Sequence, residues 1–137
     1  RDADLLARCA AFKDYTTICN GAPSEALALM ILRPREQIVA ANRALIAANA
    51  ARLRDLFATQ ADRLQWLEPE AGSVAFPRYT DAATADTFCQ SVREGAGVLL
   101  APGSLWGYPA HFRVGLGRRN AGVAIAALER WCQGNRP

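Results

Sequence analysis

Between Pro34 and Gln60 the chain runs without a glycine and without a second proline. Across that stretch Ile38, Leu45, Ile46, Leu53, Leu56 and Phe57 recur at helical spacing with alanines between them, the pattern of an α-helix with one apolar side. Pro34 suits the first helical position, where its missing N–H would have no partner in any case. A helix of about 25 residues is ~37 Å long. A compact globule of 137 residues has a radius of gyration of only ~14 Å. Such a helix is expected to span the whole domain and reach past it, which suits a piece that packs against a larger body.

The rest of the composition is that of an ordinary globular chain with one core, 51% hydrophobic and 21% charged. Apolar stretches are broken well before the ~20 residues that a membrane span requires, and no export signal is visible. The only methionine is Met30 and the chain starts at Arg1-Asp2-Ala3-Asp4, a beginning expected of a fragment. The formal net charge is +3, with Lys13 the only lysine. A nucleic-acid binder would cluster its basic residues on one face. Here Arg8, Arg43, Arg52, Arg54, Arg63, Arg93 and Arg130 are scattered singly, as on solvated helix faces, so no nucleic-acid partner is expected. Cys9, Cys19, Cys89 and Cys132 form no C-x-x-C pair, and His111 is the only histidine. No zinc ligand set results. All four are expected to be buried free thiols of a cytoplasmic protein.

Local patterning gives the remaining elements. Leu5, Leu6, Cys9 and Phe12 mark an amphipathic helix over 4–14. Asn20-Gly21-Ala22-Pro23 is turn chemistry, and Ser24-Glu25 opens a short apolar helix that Pro34 punctuates. Leu64–Leu67 and Ser73–Phe76 are expected to be two strands joined by the turn at 68–72. Asp81 is the expected N-cap of a helix to Glu94 that buries Phe88, Cys89 and Val92. Val98–Leu100 reads as a strand, as does His111–Leu116 with its alternation. Asn120 is expected to cap a last helix whose apolar stripe is Ala124, Leu128 and Trp131. The order points to an α+β fold, a small sheet with helices on one side.

The densest chemistry lies between Gly97 and Arg118. Alternation in the last strand puts Phe112, Val114 and Leu116 on one face and His111 and Arg113 on the other. An arginine fixed in an apolar strand is costly unless it meets an anion, and its planar fork matches a carboxylate. Two readings of Arg113 stand at this point: it pairs with a neighbouring Asp or Glu at a sheet edge, or it holds an anionic ligand. Gly115 and Gly117 leave room for close backbone approach. Trp106 and Tyr108 either line a ligand entrance or pack under the Pro102-Gly103 turn. No Gly-rich phosphate loop follows a strand, and no nucleophile with its base can be assembled.

The run G-V-L-L-A-P-G-S-L-W-G over 97–107, followed by H-F-R-V-G-L-G-R over 111–118, is similar to the C-terminal stretch of class I and II aminotransferases. These are the fold-type-one pyridoxal-phosphate enzymes. The resemblance extends along the chain: Asp14–Thr17 and Ala22–Glu25 resemble the loop before the family's long interdomain helix, Pro34–Gln60 resembles that helix, and Glu70–Arg78 resembles a hairpin of G-G-x-x-A-F-P type. The resemblance implies that 1–137 is the C-terminal small domain. Residues 1–60 would form its helical interdomain part and 61–137 an α/β sandwich, with the large cofactor-binding domain absent.

It further implies that Arg113 grips the α-carboxylate of an amino acid or 2-oxo acid substrate, with Trp106 and Tyr108 as further candidates at the entrance. The family's cofactor lysine lies in an upstream S-x-x-K segment that has no match here. Lys13, beside Asp14 in a solvated helix setting, does not replace it. No catalytic, cofactor-binding or metal-binding residue is therefore expected in this chain, which alone would be inactive and without bound pyridoxal phosphate. The full-length protein would be a cytoplasmic homodimeric aminotransferase. In dicarboxylate-specific relatives a second arginine occupies the region of Tyr15–Asn20, which has none. Lyase or amino-acid synthase chemistry on the same scaffold, or a sensor domain fused to a DNA-binding module, are the alternatives.

Overall fold

The computed structural model describes residues 2–81 and 83–135. The chain divides into two compact units, Arg1–Val39 and Ala40–Pro137.

The first unit carries α1 (Ala3–Thr16), α2 (Ala22–Leu32) and the start of α3 (Arg35–Thr59). The Asp2 carboxylate caps α1 by accepting from the Leu5 N–H at 3.1 Å. The first helix runs two residues beyond the expected Asp14, because the Thr17 N–H still reaches the Lys13 carbonyl at 2.8 Å. Helix α2 starts at Ala22, ahead of the expected Ser24. Pro23 is compatible with a first turn, and the Gly21 carbonyl accepts from the Ser24 and Glu25 amides. Neither α1 nor α2 has a buried residue, and Leu5, Phe12, Leu27 and Met30 are exposed. As expected, α3 follows Pro34 directly and is 25 residues long.

In the second unit, α3 buries Asn49, Leu53, Leu56 and Phe57. Then come β1 (Leu64–Gln65), β2 (Val74–Ala75), β3 (Arg78–Tyr79), α4 (Ala85–Ala96), β4 (Ala101–Pro102), a 3-10 turn over Gly103–Trp106, β5 (Phe112–Gly115) and α5 (Ala121–Gly134). The fold is the α+β class expected. The sheets are small and antiparallel, one ordered β2-β5-β4 and the other β1-β3. Phe57 of α3 and Phe88 of α4 both meet Phe112 on the inward face of β5, with ring centroids 6.5 and 5.1 Å apart. Helix α4 also packs on α5 and β4.

Several local expectations are corrected. The strands around 64 and 74 do not form a hairpin. Leu64 pairs with Tyr79, while Val74 and Ala75 pair with Gly115 and Val114. Between 74 and 80 the residues alternate, with Ala75, Pro77 and Tyr79 buried and Val74, Phe76 and Arg78 outward. Pairing with β5 lays that inward row beside Phe112 and Val114, and this burial outweighs the shorter local turn. The N-cap of α4 is Thr84, whose hydroxyl accepts from the Thr87 N–H at 3.2 Å. Asp81 instead accepts a hydrogen bond from the Tyr79 hydroxyl at 3.2 Å. Leu100 is buried and Leu99 exposed, but ladder pairing starts only at Ala101, since alternation sets facing without requiring a partner strand.

The buried stripe of α5 is Ala121, Ile125, Leu128 and Cys132. Ala124 and Trp131 lie half-buried on its flank. The Trp131 indole covers Gly95, where an added Cβ would stand 2.5 Å from its Nε1, so the large ring rides the rim of the core. Cys89 and Cys132 are buried, but Cys9 and Cys19 are exposed on the first unit. Arg63 is buried rather than solvated. It donates to the Cys132 carbonyl at 2.7 Å, the Asn135 carbonyl at 2.8 Å and Gln60 Oε1 at 3.0 Å, so it satisfies carbonyls at the end of α5 that a helix leaves without partners.

Candidate functional site

The middle strand of the three-stranded sheet is β5, and its alternation is as the sequence indicates. Phe112 and Val114 face the core, and Arg113 faces out. On one side Arg113 is opposite Ala101 of β4. On the other side, Val74 pairs with Gly115 and Ala75 with Val114, and Arg78 bridges to His111. The register is the same above and below, and the Phe112 N–H reaches the Pro77 carbonyl at 3.0 Å. Phe76 is thereby set opposite Arg113 on the outer face, in a pair of the close, non-hydrogen-bonded kind. No Cβ added at Gly115 would meet any atom within 4 Å, and one at Gly117 would come no nearer than 3.5 Å to Ser73. Gly115 and Gly117 thus leave room beside the strand that no backbone among the described residues fills.

Trp106 and Tyr108 reach the same face from the turn before β5. The turn closes through Tyr108 N–H to the Gly103 carbonyl at 2.9 Å, Gly103 N–H to the His111 carbonyl at 2.7 Å, and His111 N–H to the Tyr108 carbonyl at 2.9 Å. Gly107 takes the left-handed conformation at φ 80°, which a residue with a Cβ resists. The Ser104 hydroxyl donates to the Asp86 carboxylate at 2.6 Å, and this bond fastens the turn to α4.

The resulting surface is an aromatic cluster around a cation. Phe76 meets Trp106 edge-on at 6.1 Å and Tyr108 edge-on at 5.9 Å, and stacks flat on His111 at 5.1 Å. The Arg113 guanidinium carbon lies 4.9 Å from the Trp106 ring centroid. Trp106 is 45% and Tyr108 57% exposed, so neither is packed away under the turn. Among the described residues no carboxylate lies within ion-pair distance of Arg113. His111 Nδ1 is buried without a hydrogen-bond partner among the described residues.

The candidates Arg113, Trp106 and Tyr108 come together on one face. Phe76, whose ring meets Trp106, Tyr108 and His111, joins them on this face and is not among the candidates that the sequence offers. Its outward position in the 74–80 alternation was the available signal, but only the pairing with β5 shows what it opposes. Lys13 lies exposed on α1 in the first unit.

Asn49 holds the end of β5 in place. Its side-chain amide donates to the Leu116 carbonyl at 2.8 Å and the Arg118 carbonyl at 3.0 Å. The strand carrying Arg113 is thus fixed at one end by the turn and at the other by the long helix.

The family model for aminotransferase class I and II matches residues 4–128. A pyridoxal-phosphate-dependent aminotransferase from Streptococcus suis 89-1591 superposes with a TM-score of 0.80 at 20% identity, over 99% of this chain and 37% of that one. A pyridoxal-phosphate-dependent cyclase, OrfR, superposes with a TM-score of 0.80 at 25% identity, over 97% of this chain and 37% of its own. For the aspartate aminotransferase of Thermotoga maritima the TM-score is 0.69 at 20% identity, over 90% and 32% of the two chains. The chain therefore spans roughly a third of the length of these structures. No curated protein matches it.

Proposed function

We propose, from the premise that this chain belongs to the aminotransferase class I and II family, that it is the C-terminal small domain of a pyridoxal-phosphate-dependent enzyme moving an amino group between an amino acid and a 2-oxo acid. Arg113 is its anchor for the α-carboxylate. The observation that carries this is the guanidinium of Arg113, on the outer face of the middle strand, with no carboxylate partner among the described residues. Its donors match a carboxylate in two-pronged fashion, and two rigid attachments hold the strand that presents them. A fixed carboxylate orients the substrate's α-carbon relative to whatever reacts with it. Trp106 and Tyr108 border the approach.

The described residues do not fit a cofactor anchor. A Schiff-base lysine needs a desolvated or otherwise activated amine, and Lys13 is exposed. We assign this chain the carboxylate contact and no step of the cofactor's chemistry, so the isolated chain is expected to be inactive. On this reading the cofactor and its lysine are supplied by a large domain, since the chain spans roughly a third of the length of the similar structures. The exposed apolar residues of α1 and α2, Leu5, Phe12, Leu27 and Met30 among them, support a large domain or a second subunit as the partner. No helix among the described residues is long and apolar enough to cross a membrane. The four free thiols suit a reducing, cytoplasmic setting.

The test is Arg113→Leu in the full-length protein. Loss of a positioned ionic contact is expected to lower kcat/KM by about 2–4 kcal/mol of transition-state stabilisation. An unchanged kcat/KM across several amino acids removes Arg113 from the site. The likeness to OrfR favours a second reading, ring-forming synthesis on the same scaffold, since that chemistry also needs a held α-carboxylate. Product analysis separates the two: transfer of the amino group to a 2-oxo acid supports the first, and a cyclised product without transfer supports the second.

A further inference from the structure

Arg113 has an unusual set of neighbours for a surface arginine. Its guanidinium carbon is 4.9 Å from the centroid of Trp106, within the range in which the negative face of an indole attracts a cation. Trp106 is in turn met edge-on by Phe76 at 6.1 Å, and Phe76 is the residue opposite Arg113 in the strand register. Phe76 is itself stacked on His111 at 5.1 Å, with the ring planes only 9° apart. The ring under the cation is therefore braced by a second ring, which is braced by a third.

An arginine can be held in place by a carboxylate or by an aromatic face, and the two differ in what they leave free. A carboxylate occupies the N–H donors in the guanidinium plane. A ring attracts through the face of that plane and occupies none of them. We infer that Trp106, braced by Phe76, is a positioning residue for Arg113, holding the guanidinium while leaving all of its N–H donors available to the incoming carboxylate. The inference rests on the carboxylate-anchor reading above. The electrostatics also suit it, because a neighbouring structural carboxylate would compete with the ligand for the same donors and repel it, whereas the neutral indole does neither.

The experiment compares L-alanine with ethylamine, which differ only by the carboxylate, as ligands of the full-length protein in ligand-observed NMR titrations. In Trp106→Leu the dissociation constant for L-alanine is expected to rise roughly three- to tenfold more than that for ethylamine, the scale of a cation–π contact. Trp106→Phe, which keeps a weaker aromatic face, is expected to restore part of the loss. Site-specific fluorinated tryptophan at 106 keeps the shape of the ring and drains its π face, so it tests the same point without endangering the fold. The L-alanine affinity should fall stepwise with each added fluorine.

A general loosening of the site would weaken both ligands together, and that result overturns the inference, as does an L-alanine affinity indifferent to fluorination. Arg113→Ala separates the two levels of the argument. If it abolishes the preference for L-alanine while the Trp106 variants leave it intact, the anchor stands and the positioning role falls. If wild type shows no preference for L-alanine, the anchor itself falls and takes this inference with it.

Discussion

The side-chain amide of Asn49 donates to two backbone carbonyls at once, Leu116 at 2.8 Å and Arg118 at 3.0 Å, across 67 and 69 positions of sequence. One buried side chain of the long helix thus closes the segment where β5 ends.

Replacing Asn49 by leucine keeps its bulk and removes both donors. The buried Leu116 carbonyl is then left without this partner, whereas the Arg118 carbonyl keeps the Ala121 N–H at 3.1 Å, and the loss is expected to cost about 1–3 kcal/mol. Urea denaturation should show a lower midpoint with an unchanged slope. A midpoint equal to wild type would mean that water replaces the amide at no cost.

Arg63 carries a larger share. Its guanidinium serves the Cys132 and Asn135 carbonyls and the Gln60 side chain, and no carboxylate of the described residues forms an ion pair with it. Arg63→Met is expected to destabilise the chain by roughly 2–4 kcal/mol, the scale of several lost bonds to a charged donor. Arg63→Lys recovers little of that, because an ammonium lacks the fork that reaches both carbonyls. Thermal melts of the two variants check this, and equal melting of the lysine variant and wild type would refute it.

Gly103 has backbone where a side chain would go. An added Cβ would collide with the carbonyl oxygens of Tyr108 and His111. Neither can swing away without breaking the turn that carries Trp106. Gly103→Ala is therefore expected to cost more than about 2 kcal/mol. Gly97→Ala has open space around it and bears only a left-handed φ of 66°, a strain of about 1–2 kcal/mol. The order of the two melting temperatures is the measurement.

The thiols give an alkaline limit. Burial, and after it the nearby Asp86 carboxylate, pushes the Cys89 thiol up to about 11 from the ordinary 9.0. Burial also raises Cys132 and Tyr79. Each is an acid whose charged form the fold disfavours, so its stabilisation is complete below the unfolded pKa and fades as pH rises through the folded one. For Cys89 that window runs from about 9 to about 11, and the loss amounts to roughly 2–3 kcal/mol. Stability measured against pH should be flat near neutrality and fall above 9. In the native 137-residue chain a thiol reagent should label the exposed Cys9 and Cys19 and spare Cys89 and Cys132.

What the sequence made legible was what local periodicity determines. The absence of Gly and Pro after Pro34 gave α3 nearly to the residue, and the alternation in His111–Leu116 gave the facing of Arg113. Partnership was not legible. Nothing local to 73–76 says that its neighbour is β5 rather than the strand before it, because that choice depends on burying Ala75 and Pro77 beside residues almost 40 positions away. Arg63 is likewise indistinguishable in sequence from the solvated arginines around it, since its partners are carbonyls some 70 residues later. For the site, Arg113 could be read from its strand, whereas Phe76 could be recognised only once the register was known.

The order β2-β5-β4 has a consequence for how the chain comes into being. The central strand of the sheet is the last one to be made, and both of its neighbours precede it. Until Phe112–Gly115 has emerged from the ribosome, β2 and β4 have no strand between them, and each offers a bare edge of unsatisfied amides and carbonyls. A nascent chain paused within that interval is thus at its most prone to pair with other chains. The residues that complete the proposed carboxylate anchor are the same ones that close the sheet, so a molecule can present Arg113 on β5 only after it has passed that hazard.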